Sequence, residues 1–358
     1  MARALALAVR GWGRVQPNPM VGAVIVRDGG VVGEGWHEAF GGEHAEVVAL
    51  RDAGDAARGA DLYVTLEPCA HHGKTPPCTD AIVAAGIRRV IFGAADPHPR
   101  AAGGARSLAE RGVAVEGPVA TDAVRAQNAA FFHRLAGHGP FVALKLALSL
   151  DGKLGLKGEE TRVTGAEARE AALDLRAGFD AILVGAGTAR VDDPELTARG
   201  SVRPRTPPIR AVADTEARLA TDARLLRAGG GPVWVFVAED AEGPHRERLE
   251  RAGARVVPVP RAPGGLRIAS ILDAFAAAGA GAVLCEGGGR LAGSILRDRL
   301  AHRLHVFLAP RVFGARGVPA FPLGEDDAGT GVAWRVTRLA RRGDDAEIVW
   351  DRADPQTS

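Results

Sequence analysis

Short apolar runs alternate with segments of helical period along nearly the whole chain, and the alternation is interrupted once. Before the break, Val21–Val26, Val31–Gly35, Ala60–Leu66, Arg89–Gly93 and Val113–Glu116 read as strands. Helical segments fall at residues 2–10, His44–Ala53, Thr79–Ala85, Ser107–Arg111 and Asp122–Leu135. An Asp-Gly-Gly turn at 28–30 makes the first two strands a hairpin. The break is Ala136-Gly-His-Gly-Pro140, after which Phe141–Ser149 opens a new strand. Strands then recur at Ala181–Val184, Val233–Val237, Arg255–Val259, Ala282–Glu286 and His305–Ala309, with helices at Ala166–Ala177, Ala269–Ala278 and Arg290–Arg299. Ser201–Ile209 is rich in Pro and Arg and reads as loop. Two strands near 333–339 and 347–351 suggest an antiparallel finish. This pattern predicts an α/β protein with largely parallel sheets. At about 150 residues per domain, 358 residues make two, which we place at 1–138 and 139–358.

Composition narrows the function classes. Forty-five basic against 43 acidic residues leave a net charge of +2, little for a protein that grips nucleic acid along a face. No run of 18 apolar residues occurs, so no membrane span is expected. The N-terminal segment, with arginines interleaved among apolar residues, reads as an amphipathic helix and not a signal peptide. Three cysteines, an odd number, fit a reducing, cytoplasmic setting better than a disulfide framework. Arginine has displaced lysine almost everywhere. Only Lys74, Lys145, Lys153 and Lys157 remain, and Lys145 lies in an otherwise apolar strand where a cation is costly unless it meets a partner or ligand.

The strongest chemical signal is His44-Ala45-Glu46, followed by Pro68-Cys69 and Cys78. One imidazole and two thiolates make three zinc ligands and leave a fourth position for water, the arrangement of catalytic and not structural zinc. Glu46, two residues from His44, can reach that water and carry protons from it to a departing amine. The combination follows the H-x-E and P-C-x-x-C signature of zinc nucleobase deaminases, except that eight residues separate the cysteines. A closed zinc site, with His71 or His72 as fourth ligand, is the competing reading.

Longer strings sharpen this. Pro17-Asn-Pro-Met-Val-Gly22, Gly42-Glu-His-Ala-Glu-Val47 and Tyr63-Val-Thr-Leu-Glu-Pro-Cys-Ala-His-His-Gly-Lys-Thr-Pro-Pro-Cys78 resemble the bifunctional deaminase–reductase family of riboflavin biosynthesis, long insert included. The resemblance implies a cytidine-deaminase-like three-layer domain followed by a dihydrofolate-reductase-like domain. It implies zinc on His44, Cys69 and Cys78 with Glu46 as the proton carrier. It implies a phosphoribosylated diaminopyrimidinone as substrate, contacted by Asn18, His71 and Lys74. Asp96-Pro-His-Pro99 follows a strand where that family more often has Asn in place of His98.

In the second half no G-x-G-x-x-G fingerprint follows a strand with an acidic residue about 20 positions on. Two Gly-rich turns stand instead after strands, Gly185–Thr188 and Gly287–Gly289, and bare amides at a helix start suit a diphosphate. The resemblance makes Ala147, Thr188, Asp192, Thr215 and the run Gly288, Gly289, Arg290, Leu291, Ala292, Gly293, Ser294 the NADPH contacts. It makes Arg176, Leu196, Arg199 and Glu286 substrate contacts, the two arginines as a clamp on the ribose phosphate. Val191-Asp-Asp-Pro-Glu-Leu-Thr197 matches that family closely, whereas Glu160 and Arg162 replace a Ser and an aromatic residue there. We expect Glu160 to face the substrate, Arg162 to meet the 2′-phosphate of NADPH, Lys145 to be catalytic and Cys285 to be core. The resemblance further implies a homo-oligomer, dimer or tetramer. The competing functions are a nucleic-acid base deaminase, a structural zinc protein that binds a nucleotide, and a fusion in which one domain works.

Overall fold

The structure is a computed structural model and describes residues 1–71, 76–99, 102–322 and 332–353. It divides into two units, Met1–Gly137 and His138–Ser358. In the first, α1 (Ala2–Ala8) precedes a hairpin of β1 (Gly22–Arg27) and β2 (Gly30–Trp36). Its two-residue loop, Asp28 and Gly29, has φ of 49° and 78°, the left-handed pair that matches strand twist in a tight hairpin. Then come α2 (Ala45–Ala53), β3 (Asp61–Leu66), α3 (Cys78–Ala84), β4 (Arg89–Ala94), α4 (Gly104–Glu110) and β5 (Ala114–Glu116), closed by α5 (Thr121–Gln127) and α6 (Ala129–Leu135). The sheet order is β2-β1-β3-β4-β5.

Alternate residues of each strand serve opposite faces. Ala23, Ile25, Leu62 and Val64 pack with Ala45, Ala49 and Ile82 of α2 and α3. Val24 and Tyr63 turn the other way, to Ala4 and Leu7 of α1. The result is helix, sheet, helix. Gly35 lets α2 approach closely: a Cβ there would lie 2.5 Å from the Ala45 carbonyl oxygen and the Ala49 nitrogen. Gly35→Ala is therefore expected to destabilise this unit by about 1–3 kcal/mol and to displace the start of α2, read as a lower Tm together with weaker zinc retention.

The second unit runs β6 (Phe141–Ser149), β7 (Lys153–Leu156), α7 (Ala166–Leu175), β8 (Ala181–Gly185), α8 (Ala186–Asp192), β9 (Ile209–Ala213), α9 (Arg224–Arg227), β10 (Val233–Ala238), α10 (Gly243–Arg251) and β11 (Arg255–Val259). It continues with β12 (Arg261–Ala262), β13 (Gly265–Leu266), α11 (Ile268–Ala277), β14 (Ala282–Glu286), α12 (Gly289–Arg297), β15 (Arg303–Ala309), β16 (Gly317–Pro319), β17 (Trp334–Arg342) and β18 (Asp345–Arg352). The main sheet has the order β11-β10-β9-β8-β14-β6-β15-β18-β17. It is parallel from β11 to β15 and antiparallel only at β18 and β17. The chain steps from β6 out through β8 to β11, then returns to insert β14 between β8 and β6. Reversals of strand order of this kind open a crevice at the carboxyl ends of the strands.

The sequence reading needs five corrections. The first sheet is not largely parallel, since β1 is antiparallel to both neighbours. The helix expected over 122–135 breaks at Asn128, whose buried amide brackets Met20, accepting from its N–H (2.7 Å) and donating to its carbonyl (3.1 Å). The loop expected through Ile209 ends where β9 begins, a strand the Pro-rich flank concealed. The helix α10 was missed because its turns are almost wholly charged. Gly185–Thr188 is not a free turn, because α8 starts at Ala186. Among the described residues no helix is long and apolar enough to cross a membrane.

Candidate active sites

Three short elements bring the first cluster together. His44 stands immediately before α2, Cys69 lies just after β3, and Cys78 is the first residue of α3. His44 Nδ1 is 3.1 Å from Cys78 Sγ and 3.6 Å from Cys69 Sγ, and the sulfurs are 3.6 Å apart. A tetrahedral ion at ordinary zinc bond lengths needs about 3.5 Å between nitrogen and sulfur and about 3.8 Å between sulfurs. Among the described residues these three form the His/Cys/acid group able to hold a metal. Two such sulfurs do not both ionise by themselves. Hydrogen bonding from Cys78 and then from His44 holds the Cys69 thiol down, while Cys78, bonded to Cys69 and buried, is pushed up. A divalent cation would resolve that conflict, so the donor set fits zinc.

Glu46 is in the first turn of α2, 4% exposed, on the wall of the same cavity. Burial pushes its carboxyl up, against the opposing pull of His44. The cavity holds about 310 Å³, enough for a pyrimidine. Asn18, His37, Phe40, His71, Asp96 and Phe131 also line it. Of the three residues expected to contact the substrate, Asn18 and His71 line this cavity, and Lys74 lies outside the described residues. His37 is a residue that reading passed over. A lone histidine seven positions before His44 carries no spacing signal. Glu67 has a supporting part: its buried carboxylate accepts from the backbone N–H of Asp96 (3.3 Å), Gly103 (3.2 Å) and Ala105 (3.0 Å), which ties the loop after β4 and the start of α4 to the cavity wall.

In the second unit the carboxyl ends of the parallel strands gather the other candidates. Along β6, Leu144, Leu146 and Leu148 are buried, whereas Lys145 and Ala147 on the opposite face are half-buried. Lys145 is level with Glu286 on β14 and with His305 on β15. Burial holds the Lys145 ammonium down, and the Glu286 carboxylate counters it. Asp192, at the end of α8, interacts with both Lys145 and Glu160. The Gly287–Gly288 turn meets the first turn of α8: Cβ atoms built on Gly287 and Gly288, whose φ values are 76° and 80°, would lie 3.6 and 3.3 Å from Thr188 Oγ1. Gly288 precedes α12, whose first backbone amides have no partner within the helix. Thr215 follows β9, and its Oγ1 lies 3.6 Å from a Cβ built on Gly265. A cradle that a Cβ would fill, at a helix start, fits a dinucleotide diphosphate.

Several of the expected contact residues already have protein partners. Arg176 is one of them. Its Nε and Nη2 donate to Glu286 at 2.5 and 2.9 Å, and its Nη1 donates to the Thr197 carbonyl (2.9 Å). Arg199 is exposed and bound to Glu195 and Thr197. The Leu196 side chain is 1% exposed within the core, so only its backbone, left-handed at φ 53°, can meet a ligand. Within the α12 run, Leu291, Ala292 and Gly293 are buried, Ser294 accepts from Arg297, and Arg290 is exposed. Arg162 is exposed and its carbonyl accepts from Arg311. Cys285 is buried core, as its place in an apolar strand implied.

Comparison with known proteins decides the family. Residues 140–348 match the RibD C-terminal domain, and residues 1–94 match the cytidine and deoxycytidylate deaminase zinc-binding region. The chain belongs to the RibD family. It is 37% identical to the riboflavin biosynthesis protein RibD of Aquifex aeolicus over 354 residues, covering 98% of this chain and 97% of that one. It is 39% identical to Escherichia coli RibD, covering 90% of each. Among solved structures, the Thermotoga maritima diaminohydroxyphosphoribosylaminopyrimidine deaminase/5-amino-6-(5-phosphoribosylamino)uracil reductase superposes with a TM-score of 0.79 at 34% identity, covering 99% of this chain and 97% of that one. Acinetobacter baumannii RibD gives 0.78 at 31%, covering 99% and 98%. RibD-family membership thus extends over both units, a zinc-binding deaminase region followed by a reductase region.

Proposed function

We propose that residues 1–138 hydrolytically deaminate 2,5-diamino-6-(5-phosphoribosylamino)pyrimidin-4-one and that residues 139–358 then reduce its ribosyl group to ribityl with NADPH. The observation that carries this is the His44, Cys69 and Cys78 cluster with buried Glu46 beside it, in a chain that is RibD-like from end to end. Zinc held by those three side chains would supply a Lewis acid that acidifies water. Glu46 then moves a proton, at a carboxylate oxygen, from the attacking water to the departing amine nitrogen. Asn18 and His71 orient the ring in the cavity.

In the second unit NADPH would supply the hydride. Gly287, Gly288 and Thr188 shape the space for its diphosphate, and Ala147 leaves room beside Lys145. Arg176 keeps Glu286 ionised, so Glu286 is poorly suited to donate a proton. That leaves Lys145 Nζ as the donor when the opened sugar is reduced. A cytoplasmic homodimer or homotetramer accompanies this reading as an expectation drawn from the resemblance.

The test is to supply zinc-loaded protein with the pyrimidine and follow ammonia and NADPH together. Ammonia release followed by NADPH oxidation is the expected result. Ammonia without NADPH oxidation, even when the deaminated intermediate is supplied, would remove the reductase assignment. No ammonia at all would remove the deaminase one.

A further inference from the structure

We infer that His37 fixes which way the Asn18 amide faces, and that the cavity therefore selects a pyrimidine presenting an N–H to Asn18 Oδ1. This rests on the reading of the first unit as a pyrimidine deaminase.

His37 follows β2 directly and is 3% exposed. Its Nδ1 lies 2.9 Å from the backbone carbonyl of Glu43. A carbonyl oxygen can only accept, so Nδ1 carries the hydrogen. Its Nε2 lies 3.2 Å from the side-chain amide of Asn18. Among the described residues no carboxylate hydrogen-bonds to this ring, and its other neighbour is the His44 ring, edge to face at 5.6 Å between centroids. A neutral ring with hydrogen on Nδ1 offers a lone pair at Nε2. The group opposite must donate, and in Asn18 only the NH2 can.

The amide is planar and its two ends differ. Turning Nδ2 toward His37 leaves Oδ1 as the atom available to a ligand in the cavity that both residues line. Asn18 Oδ1 has no protein partner among the described residues. The orientation of the amide thus follows from the hydrogen-bond chain Glu43 carbonyl, His37, Asn18. A fixed acceptor bonds a ring lactam N–H or an exocyclic amine. It sets lone pair against lone pair for a bare ring nitrogen, and a polar site built for one pattern rejects the other strongly. His37 is in this sense a positioning residue, acting through Asn18.

Two measurements test it. Nuclear magnetic resonance of zinc-loaded protein labelled with ring-¹⁵N histidine reports each tautomer, and His37→Gln identifies the His37 signals. The expected state is hydrogen on Nδ1 and none on Nε2. Hydrogen on Nε2, in a neutral or a doubly protonated ring, would overturn the inference, because Asn18 would then turn its NH2 to the cavity. In steady-state deamination, His37→Phe is expected to raise KM by roughly 10- to 100-fold with kcat and zinc content little changed, as for a contact made equally before and during reaction. His37→Gln can still donate to Glu43 and accept from Asn18, and should recover most of the loss. A wild-type KM in His37→Phe sinks the inference and leaves the deaminase reading standing. Absence of ammonia release from wild type sinks the deaminase reading, and the selection falls with it whatever the tautomer.

Discussion

Replacing Glu46 with Gln is expected to slow ammonia release by about 10²- to 10⁴-fold, the usual contribution of a positioned general acid–base. Gln keeps the size and the hydrogen-bonding reach of Glu but cannot take a proton. Glu46 is not among the three metal-holding side chains, so zinc content measured after dialysis should equal that of wild type. NADPH oxidation with the deaminated intermediate should also be unchanged. Ammonia release within tenfold of wild type would remove Glu46 from the proton path. Loss of zinc in the variant would instead make it a structural support of the cluster.

Arg176→Ala should have the largest effect on stability. The Arg176–Glu286 pair is nearly dry, each side chain about 10% exposed. Removing one partner of such a pair leaves an uncompensated buried charge and costs roughly 3–5 kcal/mol. Unfolding of the full chain in denaturant, followed by a probe in the second unit, should report it. The sign with pH is the sharper check. Burial alone would push the Glu286 carboxyl up, but the charge and hydrogen bonds of Arg176, with help from Lys145, outweigh it and hold the group down. A depressed carboxyl contributes stability that is present above the ordinary carboxylate range and is lost as pH falls through that range toward the folded value. In Arg176→Ala mainly burial and the weaker pull of Lys145 remain. The carboxyl should rise, and acidification should then relieve the variant while it weakens wild type. Parallel pH profiles for the two proteins would show that the pair does not set the charge of Glu286. Adding Glu286→Gln to Arg176→Ala should recover part of the lost stability.

The two Gly-rich strand ends, at Gly185 and at Gly287, show how far a local pattern reaches. Each was legible as a break after an apolar run, and each does end a parallel strand. Their convergence, with Thr188 against Gly287 and Gly288, depends on β14 inserting beside β8, almost 100 residues away in the chain. Arg176, which the resemblance places on the ribose phosphate, donates to Glu286, 110 positions on, a partner that no local spacing announces.

Sequence by itself determined much of the alternation of elements and the His/Cys/Cys group of the first cluster. His44, Glu46, Cys69 and Cys78 are specified by type and by short spacings that leave few ways to arrange three ligands and one carboxylate. Only the tertiary structure decided what each polar group faces. His37 came to face the Asn18 amide, Asn128 split a helix to hold Met20, and Leu196 went into the core. Spacing along the chain fixes which groups can meet locally. Hydrogen-bond complementarity and burial are satisfied only once distant segments are packed, and a buried donor or acceptor must take whichever partner that packing supplies.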